Sequence, residues 1–538
     1  DRNLLDAVEL LRRAIERDGD NSQYQMDLAE TYCEMGCHLE SNRVLTRILA
    51  GDDPQSECYF GMSCNFYGMN DLDSSYKALM CFLSDDPRAT KRPEVSEMLQ
   101  TLVMVRELGA PSSRKKNRAH KMAQRGCDLM KAEQYPEAER LLRQSLRVDG
   151  RQSETRALLA MGLMLMEQPE AAVREALRAL RQPHPPMQTL CLCAQVFYHA
   201  DRGQAALKII DAALRQKSEG DDLRMLLDAL CEMGEHERIY ELSLRALRET
   251  PYDRELLHMH AAAVLNTGRP RERAVSCWTR VRRIDPDDAV ARLYLEAELA
   301  EGENVPYAYR LSAEARLARI QYLGSVVEKG LAGIEEVWDQ ADELRKTLAW
   351  ALGSGEIYFN RVALNLLAAV ERKEAEYLLR DYLLRPDAPQ FLKRQALLLL
   401  GLRRAKPPFL ATGFDKFLLI SPNDSGRMPR MPISYKKVLK MALRACAQIR
   451  KNQLSALTVA WLRYVCAFDG GFPLLRDCQS WAAALIYSHL RHQEDPPTAR
   501  LIARMFGLNW RKIEYLAGHI ERVANRVDLT VLTEDEKS

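Results

Sequence analysis

The chain has 538 residues, of which 47% are hydrophobic and 28% charged, with a net charge of +2. That length holds three or four domains or one long repeat array, and the composition is that of an ordinary folded chain. The near-neutral balance sets up no global field for nucleic acid or membranes, and the longest aliphatic run, Ala396–Leu402, falls far short of the roughly 20 residues a membrane span needs.

Abundant Leu, Ala, Arg and Glu, with only 7% aromatics, favour helix over strand. The 13 cysteines are scattered and form no CxxC pair, so neither a zinc ribbon nor a thioredoxin-like site is expected. Most fall in apolar helical stripes, where a thiol behaves as a small hydrophobe, and the expected setting is reducing and cytoplasmic. No signal peptide is visible, although a chain that begins at Asp1 leaves room for a removed leader.

Taken in chain order, the first feature is a phased small residue. Ala7, Ser41 and Ser75 lie 34 apart; Ala138, Ala172, Ala206, Ile239 and Ala274 follow at steps of 34, 34, 33 and 35. In "AEQYPEAERLLRQSLRVDG", Leu142 and Leu146 follow Ala138 at helical spacing and Asp149-Gly150 ends the helix. Asp53-Pro54, Asp86-Pro87, Thr250-Pro251 and Asp285-Pro286 punctuate the other units. A period near 34 signals stacked helix–turn–helix units, with the small residue letting two helices approach and a bulky one filling the next gap. This gives one partial unit (1–20), two complete units (21–54, 55–88) and five more over about 119–287. The expected organisation is an N-terminal block 1–88, a linker helix within 89–118 (Glu94–Leu108) and a second block 119–300. Ser75 to Ala138 is 63 residues, so the linker breaks the phase. Its basic cluster Arg114, Lys115, Lys116, Arg118 reads as a solvated connector, with a nucleic-acid patch as the alternative.

These units resemble the tetratricopeptide repeat: Gly126, Leu129, Tyr135, Ala138, Leu142, Leu146 and Asp149 match its pattern, as do Ala194, Phe197, Ala206, Ile210 and Ala213, and "CWTRVRRIDPDD" matches its second helix and exit. The usual aromatic early in the first helix is often missing here. The resemblance implies an all-α, right-handed solenoid of helix pairs with a concave groove lined from the first helix of each pair. By that correspondence the groove residues are Met26, Phe60, Tyr67, Met130, Met161, Met164, Gln195, Tyr198, Arg224, Asp228, Met259 and Asn266. The lining is apolar and Met-rich, suited to an adaptable helix or peptide partner. Members that clamp a C-terminal carboxylate carry Lys and Asn at set groove positions; those are absent, which argues against such a ligand. The alternative is that the chain's own helices cover the groove.

From 301 to 405 the helical pattern persists but the phase fades, giving degenerate repeats that include a pair over 375–402. Residues 406–433, with five prolines, are expected as a linker with a short strand at 414–420. The last domain, 434–538, is helical. Within 498–520, Ala503, Gly507 and Ile513 take the spacing of a helix-turn-helix, and the stretch resembles the end of a cyclin-like repeat of transcription factor IIB. If it touched nucleic acid, the exposed second-helix residues would be Asn509, Trp510, Arg511, Glu514 and Tyr515, with Arg504 and Lys512 near phosphates.

No GxGxxG, P-loop or HExxH is present; His258 and His260 sit in "LLHMH" without the glutamate, and Ser434/Lys437 form an SxxK with no partner motif. His236 falls in a repeat turn and is expected to be solvated. The reading is a non-enzymatic protein-interaction scaffold without cofactor or metal, binding a protein or peptide and no membrane. The alternative is a transcription-related regulator touching nucleic acid.

Overall fold

Each repeat begins and turns by local chemistry. In the computed structural model, Asn21, Asp71, Asp253 and Asp288 accept backbone N–H groups from the first turn of the helices they precede. The model describes residues 3–524 apart from 20, 52, 109–113, 132–133, 217–219, 298–303, 308–310, 312, 329–333, 341, 386–387, 413–417, 421–430, 451–452, 454–456, 459, 462–463, 466–472 and 494. The chain divides into two compact units, one of Asp1–Leu311 with Asp415–Phe417, the other of Ser312–Phe414 with Leu418–Ser538.

In the first unit, α1 (Leu4–Arg17) precedes two helix pairs, α2/α3 (Ser22–Glu34, His38–Leu49) and α4/α5 (Glu57–Gly68, Leu72–Asp85). A 3-10 turn (Pro87–Lys91) leads into α6 (Pro93–Leu108). Five pairs follow: α7/α8 (Arg114–Lys131, Tyr135–Val148), α9/α10 (Ser153–Leu165, Pro169–Leu180), α11/α12 (Met187–His199, Gly203–Leu214), α13/α14 (Asp221–Met233, His236–Glu249) and α15/α16 (Arg254–Asn266, Arg271–Ile284). α17 (Ala289–Glu296) comes last. The basic cluster from Arg114 belongs to the first turns of α7, so it continues a repeat helix rather than a connector.

Six of the pair turns hold one left-handed residue, supplied at the same phase by Gly36, Asn70, Glu167, Asp201, Gly234 and Gly268. Glycine adopts that backbone freely, whereas Glu167 does so at a cost of roughly 1–2 kcal/mol. The phased small residues sit where the two helices of a pair cross. Ser41 Oγ donates to the Ala29 carbonyl at 2.7 Å, and Ser63 and Ser75 each donate to the other's carbonyl at 2.8 and 2.9 Å. Ala160/Ala172, Ala194/Ala206 and Ala262/Ala274 are fully buried at the same crossing. At Gly126 an added Cβ would lie 2.7 Å from Leu142 Cδ2, so the glycine is what seats that leucine. These contacts make the array a stack of helix pairs.

The sequence points to a spiral that runs on from end to end, but the first block also returns to the last pair. Tyr32 OH donates to the Ile284 carbonyl at 3.2 Å across 252 residues, and Arg12 donates to the Arg283 carbonyl at 2.9 Å. Arg283 pairs with Glu9 at 2.6 Å and with Asp6, while Arg254 bridges Glu40 at 2.9 Å and Asp285 at 2.8 Å. The exit carbonyls of α16, which a helix terminus leaves without internal partners, are thereby satisfied from the N-terminal block.

The second unit contains α18 (Ala313–Glu328), α19 (Ile334–Gln340), α20 (Asp342–Gly353), α21 (Ile357–Leu367), α22 (Lys373–Leu383) and α23 (Gln390–Leu402). Strands β1 (Phe409–Ala411) and β2 (Leu418–Ile420) pair antiparallel, Phe409 opposite Ile420. Residues 414–417 of the expected strand lie outside the described residues; its last three form β2, and β1 is its partner. Helices α24 (Ile433–Ile449), α25 (Cys478–Leu490), α26 (Ala499–Phe506) and α27 (Trp510–Ala524) complete the unit. Its core is mostly aliphatic and includes an aromatic cluster: buried Trp461 stacks on Tyr464 at 5.1 Å and donates Nε1–H to the Tyr435 carbonyl at 3.1 Å. Among the described residues no helix is long and apolar enough to cross a membrane.

Candidate functional site

The first helices of successive pairs carry the expected groove residues, and their surroundings change along the array. Met26 accepts a contact from Cys58 Sγ at 3.5 Å, and Phe60 packs on Phe82 with the Arg92 guanidinium 5.3 Å from its ring. Both are therefore partly committed to their own block, and Tyr67 is left exposed at its end. In the second block, Met130 lies against Gly162, whose missing Cβ makes room for the thioether. Met161 and Met164 are half-exposed on α9, next to Leu165, which is 50% exposed. Leaving a leucine half in water costs roughly 1 kcal/mol of burial energy.

Polar groups take over on α11 and α13. Gln195 donates to Glu232, and His199 Nε2 shares a hydrogen bond with the same carboxylate at 2.6 Å. Tyr198 is exposed beside them, its ring 5.7 Å from His199. Arg224 is paired to Asp253 and Glu255. Asp228 is exposed at its edge, yet its carboxyl is raised to about 6 by desolvation, then by Glu255 and Glu232, against the lowering effect of Arg224. The Met-rich character read from the sequence thus describes α7 and α9, while α11 and α13 present carboxylates and amides.

The last pair differs again. Met259 is buried at 8% exposure, and Asn266 is engaged by the chain itself. Asn266 Nδ2–H donates to the Val305 carbonyl at 2.8 Å, and Val305 N–H donates to Asn266 Oδ1 at 2.7 Å. His258 Nε2 meets the Pro306 carbonyl at 3.0 Å and His236 Nδ1 meets Tyr307 OH at 2.7 Å. His236, expected in solvent, is instead half-buried against that tyrosine, because a segment more than sixty residues downstream folds back over its turn. His260 is a core residue: it bonds Ser243 Oγ at 2.9 Å, stacks on Tyr240 at 5.0 Å, and burial lowers it to about 4.

In the second unit, α26 closes on Gly507 in the left-handed region, with Leu508 N–H reaching the Ala503 carbonyl at 2.9 Å. Ile502, Ala503 and Ile513 are buried beneath the turn. Arg504, Asn509, Arg511, Lys512, Glu514 and Tyr515 are all exposed, Tyr515 at 69%. Asn509 caps Arg511 N–H at 2.9 Å, and Lys512 Nζ binds Asp477 Oδ2 at 2.5 Å. That lysine, with the Ser480 hydroxyl, holds the Asp477 carboxyl down to about 2. Among the described residues no group of three or more His, Cys, Asp or Glu is gathered as a metal site, and the twelve described cysteines are free.

No protein-family model matches the chain. Over 103 residues it is 30% identical to the TPR repeat-containing protein YvcD of Bacillus subtilis (strain 168). That match takes in 19% of this chain and spans about a fifth, 21%, of the relative's length. Among solved structures, similarity is found to the P58(IPK) TPR domain, at 14% identity and TM-score 0.21 over 55% of this chain and 92% of that one. The Naa15/Naa10 complex bound to HypK-THB gives 11% identity and TM-score 0.25 over 98% and 93%. The C-terminal part of a TPR repeat-containing protein from Cytophaga hutchinsonii gives 12% and 0.18 over 50% and 98%. Superpositions at these scores are loose, and the repeat assignment rests on the crossing contacts described above.

Proposed function

We propose that the chain is a non-enzymatic interaction scaffold that takes a partner peptide or helix along the Met-rich strip of α7 and α9. The supporting observation is the run of half-exposed Met161 and Met164 with exposed Leu165 on one helix, followed by exposed Tyr198 on the first helix of the next pair. Flexible thioethers repack around different apolar side chains, and an aromatic with a polar tip suits the edge of such a contact. The neighbouring carboxylates of Asp228 and Glu232 favour a partner with a basic flank. The free thiols fit a reducing, cytoplasmic setting.

Affinity capture from source lysate followed by mass spectrometry names the partner. A Met161→Glu/Met164→Glu double variant should then lose capture by about tenfold or more while its helical circular dichroism stays unchanged, since each buried charge without a counter-ion costs more than the apolar contact it replaces. Undiminished capture by the folded variant removes the strip from the interface.

A second reading, a transcription-related regulator with a helix-turn-helix resembling that of the transcription factor IIB repeat, is favoured by the exposed face of α27 after the Gly507 turn. Here Arg511 and Tyr515 would reach bases and Arg504 a phosphate, whereas Lys512 is held by Asp477. A fluorescent duplex titrated at two salt concentrations should show affinity that falls steeply with salt, and falls further with Arg511→Ala. Binding that ignores both retires this reading.

A further inference from the structure

At the last pair of the first unit the groove already holds a ligand, and the ligand is the chain. Val305-Pro306-Tyr307 belongs to neither helix nor strand and bends at the tyrosine, with Val305 only 2% and Tyr307 7% exposed. Asn266 offers Val305 one donor and one acceptor, at 2.8 and 2.7 Å, as a neighbouring strand would. A clamp of this kind reads main chain and accepts any residue whose side chain fits. Pro306 presents only a carbonyl, since proline has no N–H, and the site meets it with a donor alone. That donor is fixed: Trp278 Nε1–H donates to His258 Nδ1 at 3.2 Å, so His258 must carry its proton on Nε2, which points at the Pro306 carbonyl at 3.0 Å. Beyond it, the Tyr307 hydroxyl bonds His236 Nδ1 at 2.7 Å and the two rings lie 5.6 Å apart. The site therefore has an order: a buried aliphatic side chain, a proline, then a tyrosine whose hydroxyl reaches a histidine. No salt bridge fixes the segment at these three positions; it is held by neutral hydrogen bonds and burial.

We propose that residues 304–307 are a built-in occupant of a peptide site formed by Asn266, His258 and His236, and that a partner's segment with the same aliphatic–Pro–Tyr order exchanges with it. This deepens the scaffold reading and rests on it for the existence of a partner. The tether keeps the internal segment at an effective concentration on the order of millimolar, so a free peptide competes poorly until the internal copy is weakened. Neutral hydrogen bonds, each of modest net strength, make that exchange reversible rather than structural.

The test uses the full chain and a fluorescein-labelled peptide of residues 302–310, GENVPYAYR. In the variant Val305→Ser/Tyr307→Ala, anisotropy should show peptide binding at least about tenfold tighter than to the unaltered protein. Adding Asn266→Asp, nearly isosteric but without the donor, should return binding to the unaltered level, and a peptide with the positions of Val305 and Tyr307 both changed to alanine should not bind. A well-folded Val305→Ser/Tyr307→Ala variant that leaves the peptide free up to ~1 mM overturns the proposal, as does binding indifferent to Asn266→Asp. Hydrogen exchange gives an independent readout. The Val305 amide should be protected in the unaltered chain and exchange at least about tenfold faster in Asn266→Leu, which removes its acceptor, with α15 amides unchanged; equal protection in both proteins also overturns it. Because the probe is the chain's own segment, these outcomes are independent of whether Met161→Glu/Met164→Glu abolishes capture of a foreign partner.

Discussion

Trp278→Ala should destabilise the last pair of the first unit by about 3–5 kcal/mol, measured by urea denaturation followed at α15–α17 through hydrogen exchange. Trp278 is fully buried, its ring stacked on Tyr294 at 5.0 Å with 14° between planes and tilted on His258 at 6.2 Å. Truncation leaves a cavity of indole size between α15, α16 and α17. The pair cannot close it by moving together, because α15 and α16 already pack through the small, fully buried Ala262 and Ala274, which have no side chain to spare. It also strips His258 of the N–H that fixes its tautomer. In a stacked array each pair is stabilised mainly by its neighbours, so the loss should appear as early local unfolding at this end and leave α7–α12 protected. Trp278→Phe separates the two contributions. It keeps most of the ring contact and should cost only about 1–2 kcal/mol, yet it removes the N–H and should still quicken exchange at Val305. Denaturation of Trp278→Ala that superimposes on the unaltered protein contradicts this account of the packing.

What could be read from the sequence was what repeats locally. Ala29 with Ser41, Ser63 with Ser75 and Ala160 with Ala172 are each twelve residues apart, so one unit carries its own crossing and the pattern shows in a single pass. The Gly507 turn was legible for the same reason: small residue, glycine and aliphatic residue all fall within eleven positions. The contacts that set the ends of the first unit have no such signature. Tyr32 and Ile284 are 252 residues apart, and nothing around either marks the other. Asn266 and Val305 are 39 apart, but Asn266 stands at an ordinary groove position and "NVPY" resembles any loop. The groove list treated every unit as equivalent. The array is equivalent in its crossings and not at these first-helix positions, where Met130 lies against Gly162, Gln195 meets a carboxylate and Asn266 meets backbone. β1 was missed because two prolines directly before Phe409 read as loop, although a strand can begin right after them.

In the second unit, Arg380→Met should cost about 3–5 kcal/mol, the loss expected when one member of a buried, hydrogen-bonded charge set is removed. Arg380 is 1% exposed, and its guanidinium meets three acceptors. Nε donates to Glu376 at 2.8 Å, Nη1 to the Pro408 carbonyl at 2.8 Å and Nη2 to the Lys406 carbonyl at 2.5 Å, with the Phe409 ring 4.8 Å away. One side chain on α22 thereby holds the approach to β1, whose pairing with β2 is only three residues long and would be marginal alone. Burial lowers the Arg380 pKa, but an arginine stays protonated across the working range, so the charge is always present and always needs these partners. Methionine fills much of the volume and satisfies none of the carbonyls, which are then left dry. Arg380→Lys keeps the charge but offers a single nitrogen where a planar fork made three directed bonds; it should recover less than half of the loss. Glu376→Gln should cost roughly 1 kcal/mol at most, since the Glu376 side chain is 23% exposed, water can replace part of the pairing, and both carbonyl bonds survive. Guanidinium titrations of the three variants, read by tryptophan fluorescence from the Trp461 cluster, should therefore rank Arg380→Met well below Arg380→Lys and both below Glu376→Gln. The reverse order for Glu376→Gln and Arg380→Lys would mean that the ion pair, rather than the two backbone carbonyls, is what this arginine is there to satisfy.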